Sequence, residues 1–393
     1  MDISLQSRKL IRKAYRLNPA CHIIVTGCYA QINPRQLADL PEVSLVFGNM
    51  EKQNIVSMLP ELTPANTPGK SIAPLDKIHV ADISKVKSCP DLHISSFAEH
   101  SRAFVQIQTG CDSFCSYCII PYARGRSRSV PLNKVIEQIK DLVAHGYHEV
   151  VLTGIHIGNY GRDLNPKLTL AQLTEEILGR TKLHRLRLGS IEPLELSDEL
   201  ISLVTENKRI CSHFHIPLQS GSDSVLKRMN RHYTADQFRR SVETIFSQDS
   251  KCAIGIDLIS GFPGETEQDH MASIKLVEQL PVGYLHVFPY SKRPGTSAAI
   301  MVDQINPALA KTRAAQLREI GAKKQQQYIR RFVGTELEVV VEKARSDNSW
   351  RGISAEYIPV SFPCNDNISG KCLMVAITAV HKNGVELQAA HCN

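Results

Sequence analysis

The stretch QTGCDSFCSYCIIPYARGRSR, from Gln108 to Arg128, decides the fold. It places Cys111, Cys115 and Cys118 in the spacing CxxxCxxC, directly after an apolar segment predicted as a strand. Three cysteines crowded together are poorly spaced to pair with one another and well placed to ligate a metal. Three thiolates can hold three irons of a [4Fe-4S] cube and leave the fourth iron open to a small ligand. The alternative is a zinc site completed by a histidine.

Strands and amphipathic helices alternate after this stretch, as parallel strands with crossover helices require. In one helix Val135, Ile139 and Leu142 recur with the spacing of a buried face. We therefore predict an α/β fold, a partial (β/α)6 barrel over residues 97–329, with the cysteines at the carboxyl end of its first strand, where such folds carry functional loops. The predicted strands are 104–108, 150–153, 186–189, 214–216, 253–259 and 285–288.

The segments on either side of the barrel differ from it in pattern. Residues 1–60 hold too few β/α units to close a sheet, which predicts an incomplete N-terminal α/β domain. Residues 61–96 are rich in Pro, Ser and Lys and lack periodicity apart from a short strand candidate at 78–80, so we predict a linker there. Residues 330–393 show short alternating strands around a turn, which predicts a small all-β domain.

Length and composition bound the class of protein. The chain has 393 residues, which favours two or three domains. Its apolar runs are too short to cross a bilayer and its first residues lack the apolar segment of a secretory signal, so we predict a cytoplasmic protein without membrane contact. Eleven cysteines are few for a disulfide scaffold of this length. A net charge of +7 attracts a polyanion only where one face concentrates it.

The continuation CIIPYARG after the cysteines resembles the radical S-adenosylmethionine (SAM) superfamily and, within it, the methylthiotransferase family. The resemblance implies a [4Fe-4S] cluster on Cys111, Cys115 and Cys118, with SAM on the open iron cleaved to a 5′-deoxyadenosyl radical. It extends over about residues 7–390. Its further matches are TG at 153–154, SIEP at 190–193, HIPLQSGS at 215–222, MNR at 229–231 and the segment 257–266.

The same motifs offer residues for a SAM pocket. Gln219, Ser220 and Arg231 are candidate contacts to SAM, because a ligand with a carboxylate, an amine and a ribose needs a few placed polar groups. The alternative is that they only shape turns. Gly261 and Gly264 could let the backbone approach the adenine closely, because glycine lacks a Cβ. For these two glycines the alternative is a plain β/α turn.

The stretch HVFPYSKRPGT at 286–296 resembles the branch of the family that modifies N6-threonylcarbamoyladenosine next to the anticodon of tRNA. This resemblance implies methylthiolation of carbon 2 of that base, with one SAM as methyl donor and a second as radical source. It also implies an electron donor such as a flavodoxin or a ferredoxin, and leaves the oligomeric state open. The alternatives are a methylthiotransferase acting on isopentenyladenosine in tRNA or on a ribosomal protein, and a truncated, non-catalytic tRNA-binding remnant.

Two features predict contact with RNA. The all-β segment resembles a TRAM domain, a small barrel with which family members bind RNA, and offers Trp350 and Tyr357 for base stacking. The preceding helix, 306–331, is basic and would bind phosphates. The alternatives are a solvated helix face and a core role for Trp350. The helix carries Lys311, Arg313, Arg318, Lys323, Lys324, Arg330 and Arg331 against Glu319. Further candidate contacts to a phosphate or to the cluster are Arg124, Arg126 and Arg128.

The stretch TGCYAQ at 26–31 matches the third of three cysteines that hold a second cluster in this family. Cys28 is therefore a candidate ligand of an auxiliary cluster. The first two family cysteines would lie upstream of this chain, so we expect an N-terminal truncation or a start codon assigned too late. Cys21 and Cys89 do not occupy the matching positions, although either could approach Cys28; the alternative for both is a buried apolar cysteine. Without that cluster, SAM cleavage would persist and sulfur delivery would not.

Overall fold

Three β-structures follow one another along the chain in the computed structural model, which describes residues 3–58, 77–89, 93–94, 96–97, 100–345 and 349–390. The first is a small parallel sheet, the second a curled sheet of parallel strands wrapped in helices, and the third a closed five-stranded barrel. This order confirms the predicted α/β fold with a partial barrel and a small all-β domain. Most of the predicted linker, 61–96, lies outside the described residues.

The N-terminal unit is a parallel sheet with short helices. Its elements are α1 (Ile3–Leu17), β1 (Ile24–Val25), α2 (Cys28–Ile32), α3 (Pro34–Ala38), β2 (Leu45–Phe47), α4 (Ile55–Met58) and β3 (Ile78–His79). The strands lie in the order β1-β2-β3. β3 falls inside the segment predicted as a linker, where Ile78 pairs with Val46 of β2. Ile11 and Leu37 pack with Val46 in a small core between helix and sheet.

The central unit confirms all six predicted parallel strands. Its elements are β4 (Arg102–Thr109), α5 (Ile120–Arg124), β5 (Arg128–Ser129), α6 (Leu132–Ala144), β6 (Glu149–Gly154), α7 (Leu170–Arg180), β7 (Arg185–Leu188), α8 (Asp198–Glu206), β8 (His213–Gln219), α9 (Asp223–Arg228), α10 (Ala235–Gln248), β9 (Ala253–Ser260), α11 (Glu267–Gln279), β10 (Tyr284–Pro289) and α12 (Pro307–Arg330). The predicted and observed strands share their centres and differ only at their ends.

The six parallel strands curl into an open barrel. β4, β6 and β7 form one parallel run and β8, β9 and β10 another, and single bridges such as Ser190 to His215 connect the two runs. Side chains alternate along each strand. Val105, Leu152 and Ile216 belong to the face that packs against the surrounding helices in the main core. The alternate positions therefore face the inside of the barrel, which we call the lumen.

Three of the outer helices begin at a reciprocal cap. At α7 the Thr169 hydroxyl accepts from the backbone N–H of Gln172, whose side chain accepts in turn from the backbone of Thr169. α10 begins in the same way at Thr234, and α11 at Thr266. Each cap satisfies two N–H groups that the helix itself leaves unpaired. The turn chemistry thus fixes where each crossover helix starts after its strand.

The C-terminal unit is a closed barrel at the amino ends of the parallel strands. It consists of β11 (Glu336–Ala344), β12 (Ser349–Ser354), β13 (Pro359–Pro363), β14 (Cys372–Val380) and β15 (Leu387–Ala389), in the order β11-β12-β13-β15-β14. Arg102, at the start of β4, pairs with Glu342 of β11 at 2.7 Å. Arg185, at the start of β7, donates to the carbonyl of Glu338. The small barrel therefore covers the end of the lumen opposite the cysteine loop.

α12 is confirmed as one long helix, but most of its charge is committed to the protein itself. Arg313 is 4% exposed and pairs with Glu265 at 2.8 Å. Arg318 donates to the carbonyl of Val287, Lys324 donates to that of Leu280, Lys323 pairs with Glu319, and Arg331 donates to Ser250. Arg313 is therefore not available to a phosphate, because it is buried against Glu265, whereas Lys311, Arg318, Arg330 and Arg331 are exposed and phosphate binding by this helix stays a prediction. Among the described residues, no helix has both the length and the apolar character to cross a membrane.

The two aromatic residues predicted to stack on RNA lie in different surroundings. Trp350 is partly buried and packs against the core of the small barrel, which confirms the alternative of a core role. Tyr357 stacks on His213 with ring centroids 4.4 Å apart, and the Arg187 guanidinium lies 5.2 Å from its ring. Tyr357 is 37% exposed, so these contacts with the central unit leave base stacking by Tyr357 a prediction.

Candidate active site

The cysteine loop leaves the carboxyl end of β4 and folds back on itself. Gly110 adopts a φ of +76°, and a Cβ there would lie 1.8 Å from the carbonyl oxygen of Arg126. The backbone N–H of Cys111 then donates to the carbonyl of Gly125 at 3.0 Å. Only glycine combines this backbone conformation with such a close approach. The return of the chain holds Cys111 and the two cysteines that follow it at the mouth of the lumen.

Polar groups surround the sulfur atoms of the loop. Arg231 Nη1 donates to Cys115 Sγ at 3.3 Å, and His156 Nδ1 lies 3.5 Å from Cys111 Sγ. Burial raises the pKa of Cys111, but its hydrogen bonds with His156 and Ser113 outweigh burial, so the net shift of this pKa is downward. Hydrogen bonds of this kind favour the thiolate, which is the form that ligates a metal.

Cys118 lies deeper than Cys111. Burial, together with the neighbouring thiols Cys115 and Cys111, raises the pKa of its thiol to about 11. Three cysteines that repel one another's negative charge require a cation among them before all three ionise together. This requirement is met by a bound metal centre.

The three sulfur atoms of the loop do not all lie within 4.8 Å of one another. Among the described residues, two groups bring three ligand atoms within that distance, and the three cysteines form neither of them. A single zinc ion draws its ligand atoms together around one centre, whereas the three thiolates of a cube bind three different irons and lie farther apart. The arrangement is therefore compatible with a [4Fe-4S] cluster.

The residues predicted to contact SAM converge on the same mouth. Gln219 ends β8 with a φ of +65°, and Ser220, 1% exposed, follows it. Arg231 lies between Cys115 and the carboxylate of Glu192, with which it makes a close ion pair. Burial opposes the charge of Arg231, but Tyr233 and Glu192 raise its pKa above the ordinary value. A fixed cation thus stands beside the cysteine loop.

The two glycines predicted to approach the adenine behave differently. A Cβ at Gly261 would lie 2.3 Å from the Cβ of Ala310, so this glycine is required by the close packing of α12. Gly264 has a φ of +74° and more space around it, with Arg228 as its nearest neighbour. Both positions therefore have the geometry of the β/α turn that was the alternative interpretation.

Sequence reasoning missed His156 and Glu195. His156 is 8% exposed, and its Nε2 lies 2.7 Å from Glu195 Oε1 while its other nitrogen faces Cys111. Burial lowers the pKa of His156, but its hydrogen bonds with Cys111 and Glu195 raise that pKa to about 10. A usable signal was the position of His156, two residues after β6 ends, where parallel strands carry their functional loops.

The arginines after the cysteine loop have three separate surroundings. Arg124 Nε donates to Cys28 Sγ at 3.1 Å, which places Cys28 beside the helix that follows the loop. Arg126 is exposed and pairs with Asp112 at 3.3 Å. Arg128 is buried and donates to the Arg124 carbonyl, so its role is structural. Among the described residues, Cys28 joins no other cysteine in a group of three converging ligand atoms.

The floor of the lumen is a buried charge network. Glu149 of β6 is fully buried and pairs with Arg185 and Arg187 of β7. Burial raises the pKa of this carboxyl, but the two arginines outweigh burial and lower the pKa to about 2. Both arginines also donate to carbonyls of the small barrel, such as that of Ser354. The network therefore ties the floor of the lumen to the C-terminal unit.

Known proteins resemble the chain over most of its length. Residues 105–277 match the model of the Radical SAM superfamily. The chain is 40% identical to threonylcarbamoyladenosine tRNA methylthiotransferase MtaB of Rickettsia prowazekii, over 86% of this chain and 77% of that one. It is 36% identical to MtaB of Bacillus subtilis, over 95% and 82%. It is 35% identical to tRNA-2-methylthio-N(6)-dimethylallyladenosine synthase of Clostridium novyi, over 92% and 79%. The cysteine loop, the barrel and the relatives all indicate the same family, and the chain belongs to the radical SAM methylthiotransferase family.

Proposed function

We propose that this chain methylthiolates carbon 2 of N6-threonylcarbamoyladenosine next to the anticodon in tRNA, by radical SAM chemistry. The observation that carries the proposal is the convergence of Cys111, Cys115 and Cys118 with Arg231 at the carboxyl end of the barrel. The substrate follows the MtaB relatives, which match over more than three quarters of their own length. Isopentenyladenosine in tRNA is the alternative substrate, since a dimethylallyladenosine synthase is similar to a lesser degree.

We assign Cys111, Cys115 and Cys118 as the three thiolates of a [4Fe-4S] cluster. When bound, that cluster supplies the electron that cleaves SAM and generates the radical. Arg231 donates to the Cys115 sulfur and offsets its negative charge. His156, which is held by Glu195 through Nε2, faces Cys111 with its other nitrogen and orients the Cys111 sulfur. Gln219 and Ser220 are assigned to bind polar groups of SAM, because they lie at the same end of the barrel.

The sulfur-donating half of the reaction is assigned to the N-terminal unit. Cys28 begins α2, and α2 packs against α5, which directly follows the cysteine loop. This contact brings Cys28 to the side of the barrel mouth, so a ligand role in an auxiliary cluster is compatible with its place. A flavodoxin or ferredoxin as electron donor, and a cytoplasmic location, complete the proposal.

Nucleoside analysis after an anaerobic reaction tests the proposed function. The protein is reconstituted with iron and sulfide and given SAM, a reductant and tRNA that carries threonylcarbamoyladenosine without the methylthio group. We expect 5′-deoxyadenosine and a methylthio adduct of that nucleoside, and neither product from Cys115→Ala. Modification of isopentenyladenosine tRNA instead would show that the alternative substrate is the true one. Absence of 5′-deoxyadenosine from the reconstituted protein would contradict the radical chemistry.

A further inference from the structure

A chain of hydrogen bonds crosses three neighbouring strands inside the lumen. Asp257 Oδ1 of β9 lies 3.0 Å from His215 Nε2 of β8 and 3.2 Å from His286 Nδ1 of β10. Ser190 Oγ lies 2.6 Å from the remaining nitrogen of His215. Asp257, His215 and His286 occupy lumen-facing positions of their strands, and Ser190 follows β7 and bridges to His215. They lie between the sealed floor and the cysteine loop, and the function proposed above leaves them without a role.

The two histidines of this chain are not equivalent. Both nitrogens of His215 have partners, whereas the hydrogen bonds found among the described residues engage only Nδ1 of His286. The His286 side chain is half exposed, at 50%, while that of His215 is 13% exposed. A carboxylate that accepts from one imidazole nitrogen fixes the orientation of the ring. Asp257 therefore holds the ring of His286 with Nε2 toward the lumen, where Nε2 can donate to an anion when both ring nitrogens carry a proton.

Aromatic rings line the lumen on either side of His286. Tyr284 and Phe288 occupy the neighbouring lumen-facing positions of β10, with ring centroids 5.3 Å and 6.5 Å from that of His286. Phe288 is 54% exposed and lies on the side of the barrel mouth. A flat base can stack on such a ring, because every base has a π-face. A substituent on that base would then reach the imidazole below.

The charges that line the lumen are paired with one another. Arg102 pairs with Glu149 and Glu342, Arg185 with Glu149 and Glu338, and Arg187 with Glu149, while Asp257 faces the two histidines. The feature that discriminates between substituents is therefore the missing partner of His286 Nε2 and not an excess of positive charge. An alkyl substituent would cover His286 without giving Nε2 a partner, and an unpaired buried donor is costly. The surroundings of His286 thus select a polar group over an apolar one.

We propose that His286, oriented by Asp257, binds the carboxylate of an amino-acid substituent on the substrate base and so selects that class of nucleoside over alkylated adenosines. The inference rests on the proposed function, and names the subsite that sets its substrate. No step of the reaction passes through His286 in this proposal. The residue determines which base is held with carbon 2 toward the cysteine loop.

The test compares anticodon stem-loops that differ in one group. They carry threonylcarbamoyladenosine, its methyl ester, or isopentenyladenosine, and binding is measured by fluorescence anisotropy with SAM present. We expect the reconstituted protein to bind the free acid about tenfold more tightly than the ester, and His286→Phe to bind both alike. His145→Phe is the matched control, because His145 also faces a carboxylate, at 3.4 Å from Asp141, but on the outer surface. It should keep the tenfold preference.

A second readout separates failure of this inference from failure of the proposed function. Deuterium at carbon 2 of the modified adenine is followed into 5′-deoxyadenosine, because hydrogen abstraction carries it there without any sulfur transfer. With the threonylcarbamoyladenosine and isopentenyladenosine stem-loops offered together, a ratio of deuterium transfer that is equal in the original protein and in His286→Phe would overturn the subsite and leave the function standing. If no stem-loop transferred deuterium into 5′-deoxyadenosine, the proposed function would be overturned. The preference for the free acid over its methyl ester, measured by anisotropy, would still decide whether His286 forms the subsite.

The side chains of His215, Asp257 and His286 could also bind a metal ion in place of a substrate carboxylate. Their ligand atoms lie within 4.8 Å of one another, which is close enough for a divalent metal ion. Metal analysis of the purified protein checks this. One equivalent of zinc or manganese that His286→Phe loses would overturn the carboxylate subsite. Iron accounted for by the cysteine loop, with no such ion, supports it.

Discussion

Arg231 donates to the sulfur of Cys115 across 3.3 Å, and on its other side it pairs with Glu192. The two contacts hold one guanidinium between a carboxylate at the start of the loop after β7 and a thiol of the cysteine loop. Its charge lies where a thiolate-bound cluster would concentrate negative charge. Electrostatic stabilisation by a fixed cation costs no rearrangement during the reaction. Arg231 therefore acts on the cluster from outside its set of ligands.

Replacement of Arg231 by glutamine should leave the cluster in place and impair its reduction. We expect unchanged iron content, a more negative reduction potential, and SAM cleavage slower by about 10²-fold, because a hydrogen bond to a cluster sulfur stabilises the reduced state. Iron analysis, redox titration and 5′-deoxyadenosine formation measure the three effects. Arg240→Gln, on the exposed side of α10 with a carboxylate partner at 2.8 Å, is the matched control. Loss of iron from Arg231→Gln would show a structural role instead.

Gly110→Ala should prevent the cysteine loop from closing. The new Cβ would lie 1.8 Å from the backbone oxygen of Arg126, at a φ of +76°. Backbone atoms cannot move aside as a side chain can, so we expect a folded protein that takes up little iron at the CxxxCxxC site. Gly146→Ala is the control, because it adds the same strain at a φ of +87° with nothing within 4 Å. Equal iron uptake by the two variants would contradict the account of this turn.

The two buried ion pairs of Glu149, with Arg185 and with Arg187, predict that the folded protein loses stability in acid. The pKa of Glu149 is held at about 2, below its ordinary 4.5, so its contribution to stability is complete above 4.5 and is lost as the pH falls toward 2. Glu149→Gln removes the carboxylate that the buried Arg187 pairs with, leaves Arg185 only Glu338 at 3.6 Å, and should lower the free energy of unfolding at pH 7 by about 3–5 kcal/mol. Denaturant unfolding at pH 7 and at pH 3 measures both effects. The difference between the proteins should shrink at the lower pH, and a constant difference would contradict the assignment.

The sequence was sufficient to predict the elements that depend on local pattern. Each of the six parallel strands was found from its apolar run between amphipathic helices, and the three cysteines from their spacing. Both signals lie within a few residues of chain. His156 was missed because its role arises from contact with Cys111, which is 45 residues away along the chain. A pattern within one segment carries no information about such a partner.

The contacts that the sequence did not predict share one physical cause. Composition indicated that α12 is basic, but which side of a helix meets the sheet depends on packing. Arg313 lies against Glu265, and Arg318 donates to a carbonyl of β10. Tyr357 was a candidate for base stacking because aromatic residues of an RNA-binding barrel suggest it. Its partner within the chain, His213, belongs to the central unit and was not predicted. Contacts between units cannot be read from either segment alone.

Tyr357→Ala separates a packing role of this residue at the floor of the lumen from the predicted role in base stacking. The substitution removes the stack on His213 and the contact with Arg187, so we expect a loss of about 2 kcal/mol in the free energy of unfolding. Affinity for an anticodon stem-loop should stay within about twofold, since a base–aromatic stack would be worth more than that.

Tyr15→Ala is the matched control, because Tyr15 is 39% exposed against 37% for Tyr357 and lies on α1, away from the lumen. Thermal unfolding and fluorescence anisotropy compare the two variants. We expect a lower melting temperature for Tyr357→Ala alone, because of these two tyrosines Tyr357 is the one that packs at the junction between the small barrel and the parallel strands. A tenfold loss of RNA affinity with unchanged stability would restore the stacking role and place RNA at the amino end of the barrel. Stability loss with intact binding leaves the carboxyl end, beside the cysteine loop, as the face that receives the tRNA.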